Sequence, residues 1–145
     1  MNPIDTFFQT AKQELALDPQ LQYQRIITAS CDPEKLLTGK QTALTTGFEL
    51  YMHSHRPLPE ARDINMVVDA AQQPLALTYT EDVLISPFTT LDATHALAEG
   101  VADFDQWRQA KIAALDQAYQ AADLTFDPQT AMVVIERFRV LYPFD

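Results

Sequence analysis

The chain has 145 residues, with 20 Asp+Glu against 10 Lys+Arg, a net charge of −10, 47% apolar residues and 21% charged ones. That balance belongs to a folded globular domain rather than a disordered tail, and the length suits a single core. No apolar run approaches the roughly 20 residues that a membrane span needs. Met1-Asn2-Pro3-Ile4-Asp5 offers neither a basic nor an apolar leader segment, so the expectation is a cytoplasmic protein with no membrane partner. The single cysteine, Cys31, excludes an internal disulfide and a cysteine-cluster zinc site; no other pattern calls for a metal or a cofactor.

Asn2-Pro3 ahead of Ile4, Phe7, Phe8, Ala11 and Leu15 predicts a capped amphipathic helix, stopped by Asp18-Pro19. Asp32-Pro33-Glu34 opens a short second helix through Leu36-Leu37, ended by Gly39. The period then changes: Phe48–His53, Ile64–Asp69, Leu75–Thr80 and Val83–Ser86 read as short strands. Asp92 caps a short helix that ends near Gly100. The capping box Asp103-x-x-Gln106 starts a longer helix, with the stripe Trp107, Ala110, Ala114, Ala118 and Ala121, running to about Ala122. Ala131–Tyr142 reads as a long strand, and Glu136 interrupts one of its apolar faces. A buried carboxylate there must find a donor or shift its pKa upward; structural pairing is the favoured reading, and lining a cavity is the alternative.

This order gives an α+β fold: a small, curved, mostly antiparallel β-barrel with flanking helices, since closure removes sheet edges. One domain spans residues 1–145, with residues 1–30 as an N-terminal helical extension.

Three glycines exclude the Gly-rich phosphate loops of dinucleotide and nucleoside triphosphate sites. Two of them, Gly39 and Gly47, bracket one segment, which implies either an unusual backbone path or a helix end followed by an ordinary turn. From Asp63 to Trp107 there is no Lys or Arg, whereas Lys35 to Arg62 carries Lys35, Lys40, Arg56 and Arg62 with His53 and His55. So acidic a protein gains little from counterion release, which excludes strong non-specific DNA binding. The local basic run is either a solvated face or a seat for one phosphate or a short single strand.

The ordered series Leu37-Thr38-Gly39-Lys40-Gln41-Thr42-Ala43, Pro57-Leu58-Pro59, Gln73-Pro74-Leu75-Ala76, Pro87-Phe88, Ala98-Glu99-Gly100, Trp107-Arg108 and Glu136-Arg137-Phe138 resembles the ASCH-domain family over about residues 34 to 143. The resemblance implies a PUA-like barrel and a cleft for RNA or nucleotides beside a G-x-K-T-x-T loop. It also implies, for some small bacterial relatives, removal of the acyl group from N4-acetylcytidine by the Lys, the second Thr and a Glu. Carried over, Glu99 falls on the glutamate and Thr42 on the first threonine. The lysine position is Gln41, with Lys40 one residue earlier, and the second threonine position is Leu44, with Thr45 one later. Glutamine cannot accept a proton and leucine has no hydroxyl, so binding ranks ahead of hydrolysis.

Three expectations follow. The first is a binding module whose cleft, lined by Lys40, Gln41, Thr42 and Glu99, takes a nucleoside, nucleotide or short single-stranded RNA. The second is an amidohydrolase of N4-acylated cytidine, with Lys40 or a water as base and Glu99 as acid/base. The third is a protein-interaction domain, suggested by the acidic surface and the first helix. Elsewhere, His53 and His55 with Glu49 read as a strand end rather than a metal site, and His95 as an i,i+4 contact of Glu99. Trp107 reads as core rather than a stacking platform, and Cys31 as packing. No pattern in the sequence sets an oligomeric state.

Overall fold

The computed structural model describes residues 2–29 and 33–143, so Cys31 and the Asp32 cap lie outside the described residues. In chain order the elements are α1 Pro3–Glu14, β1 Arg25–Thr28, α2 Pro33–Leu37, β2 Ala43–Gly47, α3 Phe48–Ser54, β3 Ile64–Val68 and β4 Pro74–Pro87. A 3-10 turn at Phe88–Thr90, α4 Ala93–Ala98, α5 Phe104–Ala121 and β5 Met132–Tyr142 complete them. Among the described residues, five strands form one curled sheet in the order β1-β3-β4-β5-β2, with β1 parallel to β3 and every other pair antiparallel. This is the expected α+β architecture, a small, curved, mostly antiparallel sheet with flanking helices. Irregularities at Val67/Val68, Leu77/Thr78 and Thr80/Asp82 break the register, which bends the strands into a half-barrel.

Side-chain alternation on β5 sets up two cores. Val133 and Ile135 face α4 and α5, packing with Trp107, Leu115, Tyr119 and Phe126, while Phe138 points into the barrel with Leu36, Val67 and Ala76. A third cluster seats α1 on the sheet through Phe8, Ala11, Met66 and Leu77.

Four expectations need correction. Phe48–His53 is helical, α3, not a strand; Gly47 turns the chain out of β2, and Tyr51 takes the buried position. Leu75–Thr80 and Val83–Ser86 are one strand, β4, bent at its irregularity rather than interrupted by a turn. The stretch 1–30 is not only helical, because Arg25–Thr28 pairs with Asn65–Val68 and completes the sheet edge. On α5 the buried row is Trp107, Leu115 and Tyr119, while Ala110, Ala114, Ala118 and Ala121 are exposed; larger side chains bury more apolar area and claim the core-facing row.

Both φ-positive glycines terminate helices. Gly39 (φ +77°) follows α2, where Lys40 N–H donates to the Lys35 carbonyl and Gly39 N–H to that of Leu36. Gly100 (φ +84°) follows α4, where Val101 N–H donates to Ala96 O and Gly100 N–H to Leu97 O. These are two Schellman caps, so the helix-end reading of Gly39 holds. Lys35 Nζ donates to Gly100 O at 2.7 Å and ties one cap to the other. Glu136 is indeed paired, but with a distant partner: Arg25 Nη2 lies 2.8 Å from both carboxylate oxygens, and Thr80 Oγ1 and Asn65 Nδ2 add bonds of 2.5 and 3.3 Å.

Candidate functional site

Thr42, β2, the end of α4 and the first half of α5 meet around one carboxylate. Thr42 N–H donates to Ala98 O at 2.7 Å and so docks the start of β2 on the last turn of α4. Along β2 the side chains alternate. Leu44 packs into the barrel, whereas Thr45 turns the other way, toward α4. Asp92 caps α4 through Thr94 N–H and His95 N–H, which orients that helix so that His95 and Glu99 share a face one turn apart.

Glu99 is buried and occupies the C-cap of α4. A carboxylate is disfavoured there, because the carbonyl end of a helix carries negative partial charge. Four donors offset that cost. Oε1 accepts from Trp107 Nε1 at 3.0 Å and from Lys111 Nζ at 2.9 Å. Oε2 accepts from the Thr45 hydroxyl and from His95 Nε2, the latter at 2.8 Å. An ionised carboxylate only accepts, so His95 carries its proton on Nε2, and the Thr45 hydroxyl points at Glu99. Thr45 Oγ1 and His95 Nε2 are also 2.6 Å apart. Burial pushes the Glu99 pKa up, but the bonds from His95 and Thr45 and the Lys111 charge outweigh it; the group falls from 4.5 to about 2.

Beside this cluster lies an open cleft of about 330 Å³. Gln41, Glu99, Gln106 and Lys111 supply its polar wall; Val101, Trp107, Ala110 and Ala114 supply the apolar one. Of the four residues anticipated from the sequence, Gln41 and Glu99 therefore share this cleft. Lys40 is exposed and serves the α2 cap through its backbone; Thr42 is exposed and bonds to α4. His95 makes the anticipated contact with Glu99, and Trp107 is buried core that also spends its N–H on the carboxylate. Lys111 was not singled out, although a signal exists: it is the one charged residue in the i,i+4 row Trp107-Lys111-Leu115-Tyr119. His53 and His55 are exposed at the end of α3, and no metal-binding group of three His, Cys, Asp or Glu occurs among the described residues. Nor does any helix among them have the length and apolarity to cross a membrane.

The sequence pattern of the ASCH domain matches residues 29–142. The chain belongs to the ASCH domain family. Its fold is similar to that of protein EF3133 from Enterococcus faecalis V583, at 23% identity and a TM-score of 0.83, covering 95% of this chain and 87% of that one. The ASCH domain from Lactobacillus crispatus JV V101 also has a TM-score of 0.83, at 14% identity, with 97% and 95% covered. A mutant ASCH protein from Zymomonas mobilis is more distant, with a TM-score of 0.51, 14% identity and 79% and 67% covered. No functionally curated protein sequence matches the chain. At these identities the likeness to solved structures speaks for the fold, and the site of this ASCH domain is read from its own residues.

Proposed function

We propose that this ASCH domain binds a nucleoside or nucleotide, free or within a short single-stranded RNA, in the cleft between Gln41 and α5. The observation that carries this reading is the combination of donors and apolar wall around a carboxylate that is already satisfied. Lys111 spends one ammonium hydrogen on Glu99 and stands at the cleft with 15% of its side chain exposed, a seat for an anionic group. The Gln41 and Gln106 amides suit the hydrogen-bonding edge of a base, and Val101, Ala110 and Ala114 suit its flat face. The volume lies at the lower end of small-ligand sites, which run roughly 300–1,000 Å³. A net charge of −10 weighs against long polyanions and favours a short ligand.

The test is thermal denaturation and calorimetry with cytidine, cytidine monophosphate, N4-acetylcytidine and a short oligoribonucleotide. A ligand at 100 times its Kd stabilises the folded state by about 2.7 kcal/mol. Lys111→Met is expected to weaken the monophosphate more than the nucleoside. No stabilisation by any of the four at millimolar concentration would defeat the proposal.

One observation favours a second reading, the amidohydrolase. The Thr45 hydroxyl donates to the Glu99 carboxylate beside the His95 imidazole, which puts a hydroxyl nucleophile in contact with a carboxylate able to take its proton. Thr45 is buried, 6% exposed, and does not line the cleft, which ranks this reading second. Release of cytidine from N4-acetylcytidine, abolished in Thr45→Val, would reverse the order.

A further inference from the structure

Gln41 borders two cavities. On one side is the open cleft with Glu99, Trp107 and Lys111. On the other is a small space of about 20 Å³ inside the barrel, walled by Ile27, Leu36, Leu44 and Phe138, with Thr78 and Glu136 also in its lining. That space has room for about one water molecule and no more. The same buried side chain, 6% exposed, therefore lines both the ligand-sized cleft and an apolar space inside the curl of the sheet. It is anchored from both ends: Gln41 N–H donates to Lys35 O at 2.9 Å, and its Nε2 donates to Ala43 O at 3.2 Å.

We propose that Gln41 is the specificity-determining partition of the site, fixing how deep a ligand can reach by closing the barrel interior behind the cleft. A ligand that fills the cleft ends against the Gln41 carboxamide, so the chain selects compact polar edges and rejects those carrying an apolar substituent at that end. A small residue at position 41 joins the two spaces and opens an apolar slot that ends near Glu136. In this respect the proposal rests on the nucleoside reading for the identity of the ligand, while the partition itself does not.

The experiment separates the two. Crystals of the full chain, Gln41→Ala, Gln41→Ser and Gln41→Met are exposed to xenon under pressure. Xenon fills apolar cavities whatever the natural ligand is. A xenon peak between Leu44 and Phe138 is expected in Gln41→Ala or Gln41→Ser, and none in the unaltered chain or in Gln41→Met, which keeps the side-chain length. Equal occupancy in all four proteins, or none in both small variants, overturns the partition. In parallel, the affinity ratio of N4-acetylcytidine to cytidine is expected to rise at least tenfold in Gln41→Ala. An unchanged ratio with xenon admitted overturns the specificity role. If neither nucleoside binds the unaltered chain, the functional reading has failed, and the xenon result still decides the partition.

Discussion

Replacing Glu99 by Gln tests whether its charge holds the site together. The carboxylate is held at about 2 against an ordinary value of 4.5. Each unit is worth about 1.4 kcal/mol, so the ionised form contributes about 3 kcal/mol to folding. The sign follows from the direction of the shift. A carboxylate depressed in the folded state binds protons more readily when unfolded, so its contribution is complete above about pH 5 and is lost as the pH falls from 4.5 toward 2. Glu99→Gln keeps the shape but turns one acceptor end into a donor. That amide faces either Thr45 and His95 or Trp107 and Lys111, all of which already donate. Removing one partner of a buried ionic cluster costs about 3–5 kcal/mol. Urea unfolding, followed by the fluorescence of the sole tryptophan, Trp107, would measure both proteins from pH 7 to pH 2.5. The variant is expected to be several kcal/mol less stable at pH 7, with the gap narrowing by about 3 kcal/mol in acid. Other carboxylates titrate in both proteins and cancel in the difference. A gap that stays constant with pH refutes the argument.

Other substitutions probe the supporting structure. Trp107→Phe keeps an aromatic side chain but leaves Glu99 Oε1 one donor short and removes part of the indole's buried volume; chemical denaturation should show a loss of at least about 1.5–3 kcal/mol, the share of the hydrogen bond alone. A Cβ at Gly47 would overlap the Tyr119 ring, with Cζ at 2.7 Å, so Gly47→Ala is expected to lower stability by about 1–3 kcal/mol. Tyr119→Phe should not rescue it, because the ring carbons still collide, and urea midpoints of the single and double variants check both statements. Arg25→Met strips Glu136 of its cation inside the barrel and should cost about 3–5 kcal/mol. Adding Glu136→Leu should recover much of that loss, as a double-mutant cycle would show.

The fold was legible where local chemistry and packing agree. Asn2, Asp92 and Asp103 cap their helices as their positions suggest, and β5 runs almost over its expected range because its apolar pattern fits two cores. Legibility failed where tertiary contacts decide. Phe48–His53 has strand-like composition, yet it sits beyond the end of β2, and its helix buries Tyr51. The α5 alanines repeat at helical spacing, but spacing alone does not say which of two rows meets the core. That same row carried the least legible part of the site. Lys111 reads as a surface lysine until Glu99, twelve residues earlier, is brought opposite it by the turn at Gly100. Thr45 was legible only as the neighbour of the expected position: alternation along β2 sends Leu44 inward and Thr45 toward Glu99, so the hydroxyl lies one residue from the position the family spacing suggests.

The electrostatics of Glu99 bear on what the site can do. A general acid for neutral pH needs a pKa near the working pH, and a carboxylate at about 2 holds no proton to give. Its two oxygens are met by four donors from the chain itself, which fills the capacity of the group. A ligand that drew Lys111 away would remove the cationic contribution and raise the Glu99 pKa toward its ordinary range. Occupancy of the cleft by an anionic group would therefore make Glu99 easier to protonate, and the binding and hydrolytic readings make opposite use of that coupling. If the domain only binds, Lys111→Met leaves N4-acetylcytidine intact at every pH. If it hydrolyses, the same substitution moves the acid limb of the rate profile upward, because the carboxylate has lost the charge that kept it ionised. A pH–rate profile for the unaltered chain and for Lys111→Met separates the two, and a limb that stays in place while turnover persists removes Glu99 from the chemistry.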